Sequence, residues 1–155
     1  MAINLYPQTV YAQFPGTDRD QRYLEDILFL MLCHEFEHMP TGEGGRGVPG
    51  HPSDSNGQQS QVNRCETIRH YMRDADRACA EVSAARADPT LTQEERCKKV
   101  KGFCRFHKYV QDLANTPDNL QAAPNCAPPI PASGSHVVHD CACSTEECPN
   151  PLHHF

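Results

Sequence analysis

The stretch MLCHEFEHMP, residues 31–40, contains two histidines four positions apart, His34 and His38, with Glu35 directly after the first. On an α-helix, positions i and i+4 lie on the same face, so both imidazoles can reach one metal ion. Glu35 would then project beside them, close enough to accept a proton from a metal-bound water without being a ligand itself. The spacing therefore predicts a pair of zinc ligands with a general base next to them.

This pattern resembles the H-E-x-x-H motif of the zincin metallopeptidases, which carry both histidines and the base on one helix. The resemblance extends over the segment 24–70. The metzincin extension of the motif needs a glycine at position 41 and a histidine at 44, whereas this chain has Thr41 and Gly44. The chain is therefore similar to the glutamate zincins rather than to the metzincins.

In the glutamate zincins the third zinc ligand is a glutamate on a second helix downstream, and the resemblance implies Glu66 for this role. His70, one turn beyond Glu66, is expected to assist catalysis by orienting a ligand carboxylate or the bound substrate. His51 and Asp54, both in a glycine-rich loop, are the rival third ligands. The alternative for Glu66 is a carboxylate on the helix surface that pairs with Arg69 or His70.

The activity that the resemblance implies is zinc-dependent hydrolysis of peptide bonds. Zinc lowers the pKa of its bound water to about 7, Glu35 accepts the proton, and the hydroxide attacks the scissile carbonyl. A histidine or tyrosine usually adds a hydrogen bond to the oxyanion, and His51, His70 and Tyr71 are the candidates. The expected partner is a protein or peptide substrate, and a cognate inhibitor or immunity protein would accompany a delivered bacterial effector.

Two other functions stay open. A metal-dependent nuclease of the His-Asn-His type would use His38, His51, Asn56 or Asn63. The net charge of -6 is unfavourable for a nucleic-acid surface, so no nucleic-acid partner is expected. The third class is a non-enzymatic, cysteine-rich binding or immunity-type module whose histidines are structural.

Nine cysteines in 155 residues indicate an oxidising destination, metal binding, or both. The odd count leaves at least one thiol unpaired within the chain. The N-terminal residues 1–13 lack the basic and apolar regions of a secretory signal, and the longest apolar run, Ile27 to Cys33, has only seven residues, so no membrane span is expected. We therefore expect export from the cytoplasm to the periplasm or the extracellular space by a route without a visible signal peptide.

Three long helices are expected to position the candidate metal ligands and the general base. The first is predicted over 18–39, and its apolar run ILFLMLC predicts burial on almost every side. The second and third are predicted over 60–85 and 92–114, each with apolar residues at steps of three and four. These two should form an antiparallel hairpin in which Cys79 and Cys97 face each other and form a disulfide.

The predicted fold class is mainly α, with α+β left open because the sequence TVYAQF, residues 9–14, is a good strand candidate. Residues 1–114 are expected to form a helical, metallopeptidase-like domain, and 115–155 a proline-, cysteine- and histidine-rich arm that packs on it. The end of the arm contains Cys141, Cys143 and Cys148 with histidines nearby. These cysteines predict either a small structural zinc site or disulfides to Cys33, Cys104 or Cys126.

Overall fold

The computed structural model of this chain describes residues 21–40, 45–49, 60–143 and 148–149. Within these ranges the protein is mainly helical, as predicted, and contains no β-strand. The α-helices of the described residues are α1 (Gln21–Glu37), α2 (Gln61–Ala87), α3 (Gln93–Ala114) and α4 (Pro117–Ala122), followed by a 3-10 turn, Ala123–Asn125. The strand predicted at 9–14 lies outside the described residues.

Helices α2 and α3 form the predicted hairpin, and both begin at a side-chain cap. At the start of α2, the Ser60 hydroxyl accepts a hydrogen bond from the backbone N–H of Asn63. At the start of α3, Thr92 and Glu95 form a capping box, in which each side chain accepts from the backbone N–H of the other residue. Because the caps fix where each helix begins, they also fix which face of each helix meets its neighbour.

The core lies where α1 packs against the hairpin. Its most deeply buried apolar side chains, each at most 1 % exposed, come from all three long helices and the 3-10 turn: Ile27, Leu30, Ile68, Ala78, Val82, Val100, Val110, Ala114 and Ala123. Phe29 and Phe36 of α1 are 47 % and 41 % exposed. The prediction that α1 is buried on almost every side is therefore wrong, because α1 lies on the outside of the hairpin and keeps one face in solvent. None of the described helices is long and apolar enough to cross a membrane.

The C-terminal arm contributes to the same core as the helices. Ala122, Cys126, Ile130 and Val138 are buried in one cluster with the apolar faces of α2 and α3. Asn115, at the end of α3, holds the arm through its side chain, which accepts from the backbone N–H of Val138 and donates to the carbonyl of the same residue. The arm therefore packs on the hairpin as a continuation of its core.

Four disulfides join the hairpin to the arm: Cys65–Cys126, Cys79–Cys141, Cys97–Cys148 and Cys104–Cys143. The predicted Cys79–Cys97 disulfide is wrong, because each of these cysteines is bonded to the arm and not to the facing helix. Of the three partners expected for Cys141, Cys143 and Cys148, Cys104 is confirmed by its bond to Cys143, whereas Cys126 is bonded to Cys65 and Cys33 forms no disulfide. The remaining thiol belongs to Cys33 on α1.

Candidate metal centre

Helices α1 and α2 bring three histidines together. His34 lies in the last turn of α1, His38 is the first residue after the helix, and His70 approaches them from α2. The helix predicted to carry both His34 and His38 therefore ends one residue before His38, although the centroids of the two rings are 5.1 Å apart. One ligand atom of each histidine lies within 4.8 Å of the ligand atoms of the other two. The ring centroids of His34 and His70 are 4.0 Å apart, and those of His38 and His70 are 4.7 Å apart. We call His34, His38 and His70 the three-histidine cluster.

The Nδ1 atom of each histidine has an oxygen partner. His34 Nδ1 lies 2.6 Å from Asp74 Oδ2, His38 Nδ1 lies 2.9 Å from the carbonyl oxygen of Val48, and His70 Nδ1 bonds the carboxylate of Glu37. A carbonyl or an ionised carboxylate can only accept, so each Nδ1 donates, and in the neutral imidazole this leaves Nε2 as the nitrogen that can bind a metal ion. Metal-ligating histidines almost always donate their second ring N–H to such an acceptor.

The spacing between two of the Nε2 atoms matches a metal site. His34 Nε2 and His70 Nε2 are 3.3 Å apart. Two nitrogens that each lie 2.0–2.1 Å from a tetrahedral zinc ion are separated by about 3.3–3.4 Å. The two imidazoles are therefore already at the separation that one zinc ion requires.

Glu37, the residue next to His38, is a buried carboxylate with one histidine and several arginines as partners. Its side chain is 2 % exposed, and its carboxylate accepts from His70 and, at 2.7 Å, from Arg73. Arg46 lies 3.2 Å from the same carboxylate. Burial by itself would raise the pKa of Glu37, but the hydrogen bonds from His70 and Arg73 outweigh burial and lower the pKa to about 2. Glu37 is therefore ionised and acts as a fixed acceptor for His70, whose own pKa is lowered by burial.

The short segment 45–49 completes the surroundings of His38. The backbone N–H of Val48 donates to the carbonyl of Glu37 at 3.0 Å, and the N–H of Gly47 donates to the carbonyl of Met39 at 2.8 Å. Gly47 has a φ of 62°, in the left-handed region that favours glycine. This turn folds the segment back onto the end of α1 and directs the carbonyl of Val48 at the imidazole of His38.

Asp74 is the hydrogen-bond acceptor for His34 Nδ1, as Glu37 is for His70 Nδ1. It lies on α2, one turn after His70, and is 1 % exposed. Its second oxygen, Oδ1, is 3.5 Å from a guanidinium nitrogen of Arg77. The carboxylate therefore lies between an imidazole and an arginine, which offsets the cost of burying its charge.

Glu35 lines a cavity of about 160 Å³ that borders the three-histidine cluster. His34 and Tyr71 form part of the same wall, and the remaining lining side chains are mostly apolar: Met31, Phe106, Tyr109, Val110 and Leu113. Burial raises the pKa of Tyr71 to about 12, so its hydroxyl keeps its proton throughout the neutral range. A ligand in this cavity would meet one histidine, one carboxylate and the phenols of Tyr71 and Tyr109.

Glu66, the ligand that the resemblance implies, lies elsewhere on α2. Its side chain is 43 % exposed and its carboxylate is 3.3 Å from the guanidinium of Arg69, which also donates to the carbonyl of Pro128. This is the surface pairing that the sequence offered as the alternative. Among the described residues, Glu66 belongs to none of the groups that could hold a metal ion. His51 and Asp54, the other predicted ligands, lie outside the described residues.

Sequence reasoning missed three groups that hold the histidines: Glu37, Asp74 and the carbonyl of Val48. The sequence could have indicated two of them by their spacing from the histidines. Glu37 follows His34 by three residues, and Asp74 follows His70 by four. Residues at these spacings share a helix face. The carbonyl of Val48 has no such signal, since its position depends on the turn at Gly47.

No protein-family model matches this chain, and no curated protein or solved structure is significantly similar to it. The resemblance of the segment 24–70 to the zincins therefore stays a prediction from the sequence. The function is therefore inferred from the geometry of the three-histidine cluster and of the residues around it.

Proposed function

We propose that this protein binds one zinc ion through His34, His38 and His70 and uses it to hydrolyse peptide bonds, with Glu35 as the general base. The supporting observation is that all three histidines direct Nδ1 at an oxygen acceptor while the Nε2 atoms of His34 and His70 lie 3.3 Å apart. In this proposal His70 takes the ligand role that the zincin resemblance gives to Glu66.

Three imidazole ligands favour zinc among the common metal ions. Imidazole suits zinc, copper, nickel and iron, whereas calcium and magnesium prefer oxygen ligands. Catalytic zinc sites typically have three protein ligands and keep the fourth position for water or substrate, while structural sites have four protein ligands. Three histidines therefore favour a catalytic site.

The bound zinc would supply a water of lowered pKa and a Lewis acid for the substrate carbonyl. Glu35 follows His34 directly and lines the neighbouring cavity, where its carboxylate can accept the proton of the attacking water. The protonated hydroxyl of Tyr71, in the same cavity, can donate a hydrogen bond to the oxyanion that develops on the carbonyl. The apolar remainder of the cavity suits an apolar side chain of a peptide substrate.

The site of action in this proposal is an oxidising compartment. Four disulfides in 155 residues are typical of secreted or periplasmic proteins. We infer a delivered hydrolase that acts in the periplasm or outside the cell. A producing cell would then need protection from it, for which a cognate inhibitor or immunity protein is the usual solution.

Two measurements test the proposal. Elemental analysis of the purified protein should find about one zinc per chain, and the double variant His34→Ala/His38→Ala should lose it. Glu35→Gln should keep the zinc but hydrolyse an unstructured protein substrate at least 10²-fold more slowly, the effect typical of removing a general base. Glu25→Gln, an exposed glutamate on the same helix, is the matched control and should keep full activity.

Three results would contradict this function. Wild-type protein without zinc would exclude the site itself. Full peptidase activity in Glu35→Gln would exclude Glu35 as the base. A zinc-loaded protein that digests DNA would favour the nuclease, and one that hydrolyses neither DNA nor peptides would favour a binding module.

A further inference from the structure

A second group of metal-ligating side chains lies between α2, α3 and the C-terminal arm. The sulfur atoms of Cys79 and Cys141 and a ring nitrogen of His107 all lie within 4.8 Å of one another. Cys79 is nine residues beyond His70 on α2, which places it about 13.5 Å from that histidine along the helix. The group is therefore separate from the three-histidine cluster. We call it the Cys79–His107–Cys141 cluster.

In the structure the two sulfurs of this cluster form a disulfide. Cys79 and Cys141 are both partly exposed, whereas each of the other three disulfides contains at least one buried cysteine. A pocket of about 480 Å³ borders the cluster and is lined by His107 and Cys141 among others. Cys104 and Cys143 line the same pocket, but Cys104 is only 3 % exposed. Among the described disulfides, Cys79–Cys141 is therefore the one in which neither cysteine is buried, and this favours attack by a small thiol there.

The surroundings favour the chemistry of a thiolate. Two cations, Arg105 and Lys108, and one carboxylate, Asp140, line the same pocket, so the cations are in excess. Neighbouring cations stabilise a thiolate, which makes it a better leaving group in thiol–disulfide exchange and a better metal ligand. His107 is 3 % exposed and lies in the middle of α3, so its imidazole is held firmly opposite the two sulfurs.

We propose that reduction of the Cys79–Cys141 disulfide by a monothiol of the glutathione class converts this cluster into a second zinc site. Two monothiols supply two electrons and two protons, the S–S bond breaks to two thiols, and the monothiols leave as their own disulfide. Zinc then binds both sulfurs and the imidazole of His107 and displaces the two thiol protons into solvent. Two cysteines, one histidine and a water from the pocket make up the four ligands that zinc prefers.

Cobalt(II) chloride is the probe that separates the two sites. Cobalt bound to thiolates shows a sulfur-to-cobalt charge-transfer absorption in the near ultraviolet, which cobalt bound only to histidines lacks. The background protein carries Cys33→Ser, so that the unpaired thiol of α1 does not contribute. After mild treatment with glutathione, alkylation and mass spectrometry should find Cys79 and Cys141 modified and the other disulfides intact. Cobalt should then produce the absorption in the reduced protein and not in the oxidised one.

Three variants assign the absorption to its ligands. His107→Gln should leave the disulfide and the fold in place, which circular dichroism checks, and its reduced form should bind cobalt at least tenfold more weakly, because one of three protein ligands is lost. Cys79→Ser/Cys141→Ser should lose the absorption, with its helical content checked by circular dichroism. His34→Ala/His38→Ala should keep it, since the three-histidine cluster supplies no sulfur.

The proposal is overturned by any of three results. Glutathione could open a different disulfide and leave Cys79–Cys141 intact. The selectively reduced protein could show no sulfur-to-cobalt absorption. The reduced His107→Gln protein could bind cobalt as tightly as the reduced background protein.

Discussion

The Nε2 atoms of His34 and His70 lie 3.3 Å apart, although the two histidines are 36 residues apart in sequence and belong to different helices. Each donates its Nδ1 proton to a buried carboxylate, Asp74 or Glu37. A zinc ion bound between these two Nε2 atoms would join α1 to α2, so metal binding should be coupled to the stability of the fold.

The first prediction follows from this coupling. Zinc at a free concentration 100 times its Kd should stabilise wild-type protein by about 2.7 kcal/mol, because it binds the folded state and not the unfolded one. His70→Gln should lose most of this stabilisation. Glu66→Gln, one turn away on α2, should keep it, since Glu66 pairs with Arg69 at the surface. Thermal unfolding with and without zinc measures both variants.

The opposite result would favour Glu66 as the third zinc ligand, as the zincin resemblance implies. If Glu66→Gln loses the zinc-dependent stabilisation and His70→Gln keeps it, Glu66 must swing inward to the metal and His70 must act from outside the ligand set. If both variants keep it, the third ligand lies outside the described residues, and His51 becomes the next position to substitute.

A second prediction concerns the carboxylate behind His34. Asp74→Asn keeps an oxygen that can accept the proton of His34 Nδ1, but it removes the negative charge that strengthens this hydrogen bond. Zinc affinity should fall 10–100-fold, the range typical of substituting such partners of a metal-ligating histidine. Asp76→Asn changes the net charge equally at an exposed position of the same helix and should leave the affinity unchanged. Competition with a chromophoric chelator measures the dissociation constants, and equal values for the two variants would refute the role of Asp74.

The helices that carry the site could be predicted from the sequence because their signals are local. The apolar residues of α2 and α3 recur at steps of three and four, and Thr92 with Glu95 marks the start of α3 before any packing is considered. The spacing of His34 and His38 likewise predicts that their rings lie close together, and the ring centroids are 5.1 Å apart, although His38 follows the end of α1. These features depend on residues within one or two turns of each other.

The pairing of distant residues could not be predicted in the same way. Cys79 and Cys97 have the right spacing for a bond across the hairpin, but the arm runs back over both helices and takes both sulfurs. Phe29 belongs to a continuous apolar run, yet whether it is buried depends on what covers α1. The approach of His70 to His34 also depends on tertiary packing, because α1 and α2 must pack so that these two side chains lie opposite each other.

A third prediction tests how far the arm stabilises the hairpin. The Cys65–Cys126 disulfide closes a sequence separation of 61 residues. In the chain-entropy model, a loop of this length is worth roughly 4 kcal/mol at 25 °C. Cys65→Ser/Cys126→Ser should therefore lower the free energy of unfolding by about that amount, measured by urea denaturation. Cys33→Ser, which breaks no disulfide, is the control and should cost much less. A similar, small loss in both proteins would show that the arm is held mainly by its apolar contacts.

The last prediction uses two glycines with the same backbone conformation. Gly47 and Gly134 both have a φ of 62°, where an L-residue is strained by roughly 1–2 kcal/mol. A Cβ at Gly47 would meet the Cα of Pro40 at 3.7 Å, an ordinary contact, and one at Gly134 would have no described atom within 4 Å. Replacing either glycine by alanine should therefore destabilise the protein by a similar amount, through the backbone alone.

The two substitutions should differ in their effect on zinc affinity, because only the turn at Gly47 positions a proposed zinc ligand, His38. Gly47 precedes Val48, whose carbonyl oxygen lies 2.9 Å from His38 Nδ1. If Gly47→Ala relieves its strain by rotating the backbone, that carbonyl moves and His38 loses its orientation, so zinc should bind at least tenfold more weakly than to wild type. Gly134→Ala should bind zinc as wild type does while showing the same loss in thermal stability. Equal zinc affinity in the two variants would mean that the Val48 carbonyl does not position His38, and that His34 and His70 fix the metal without it.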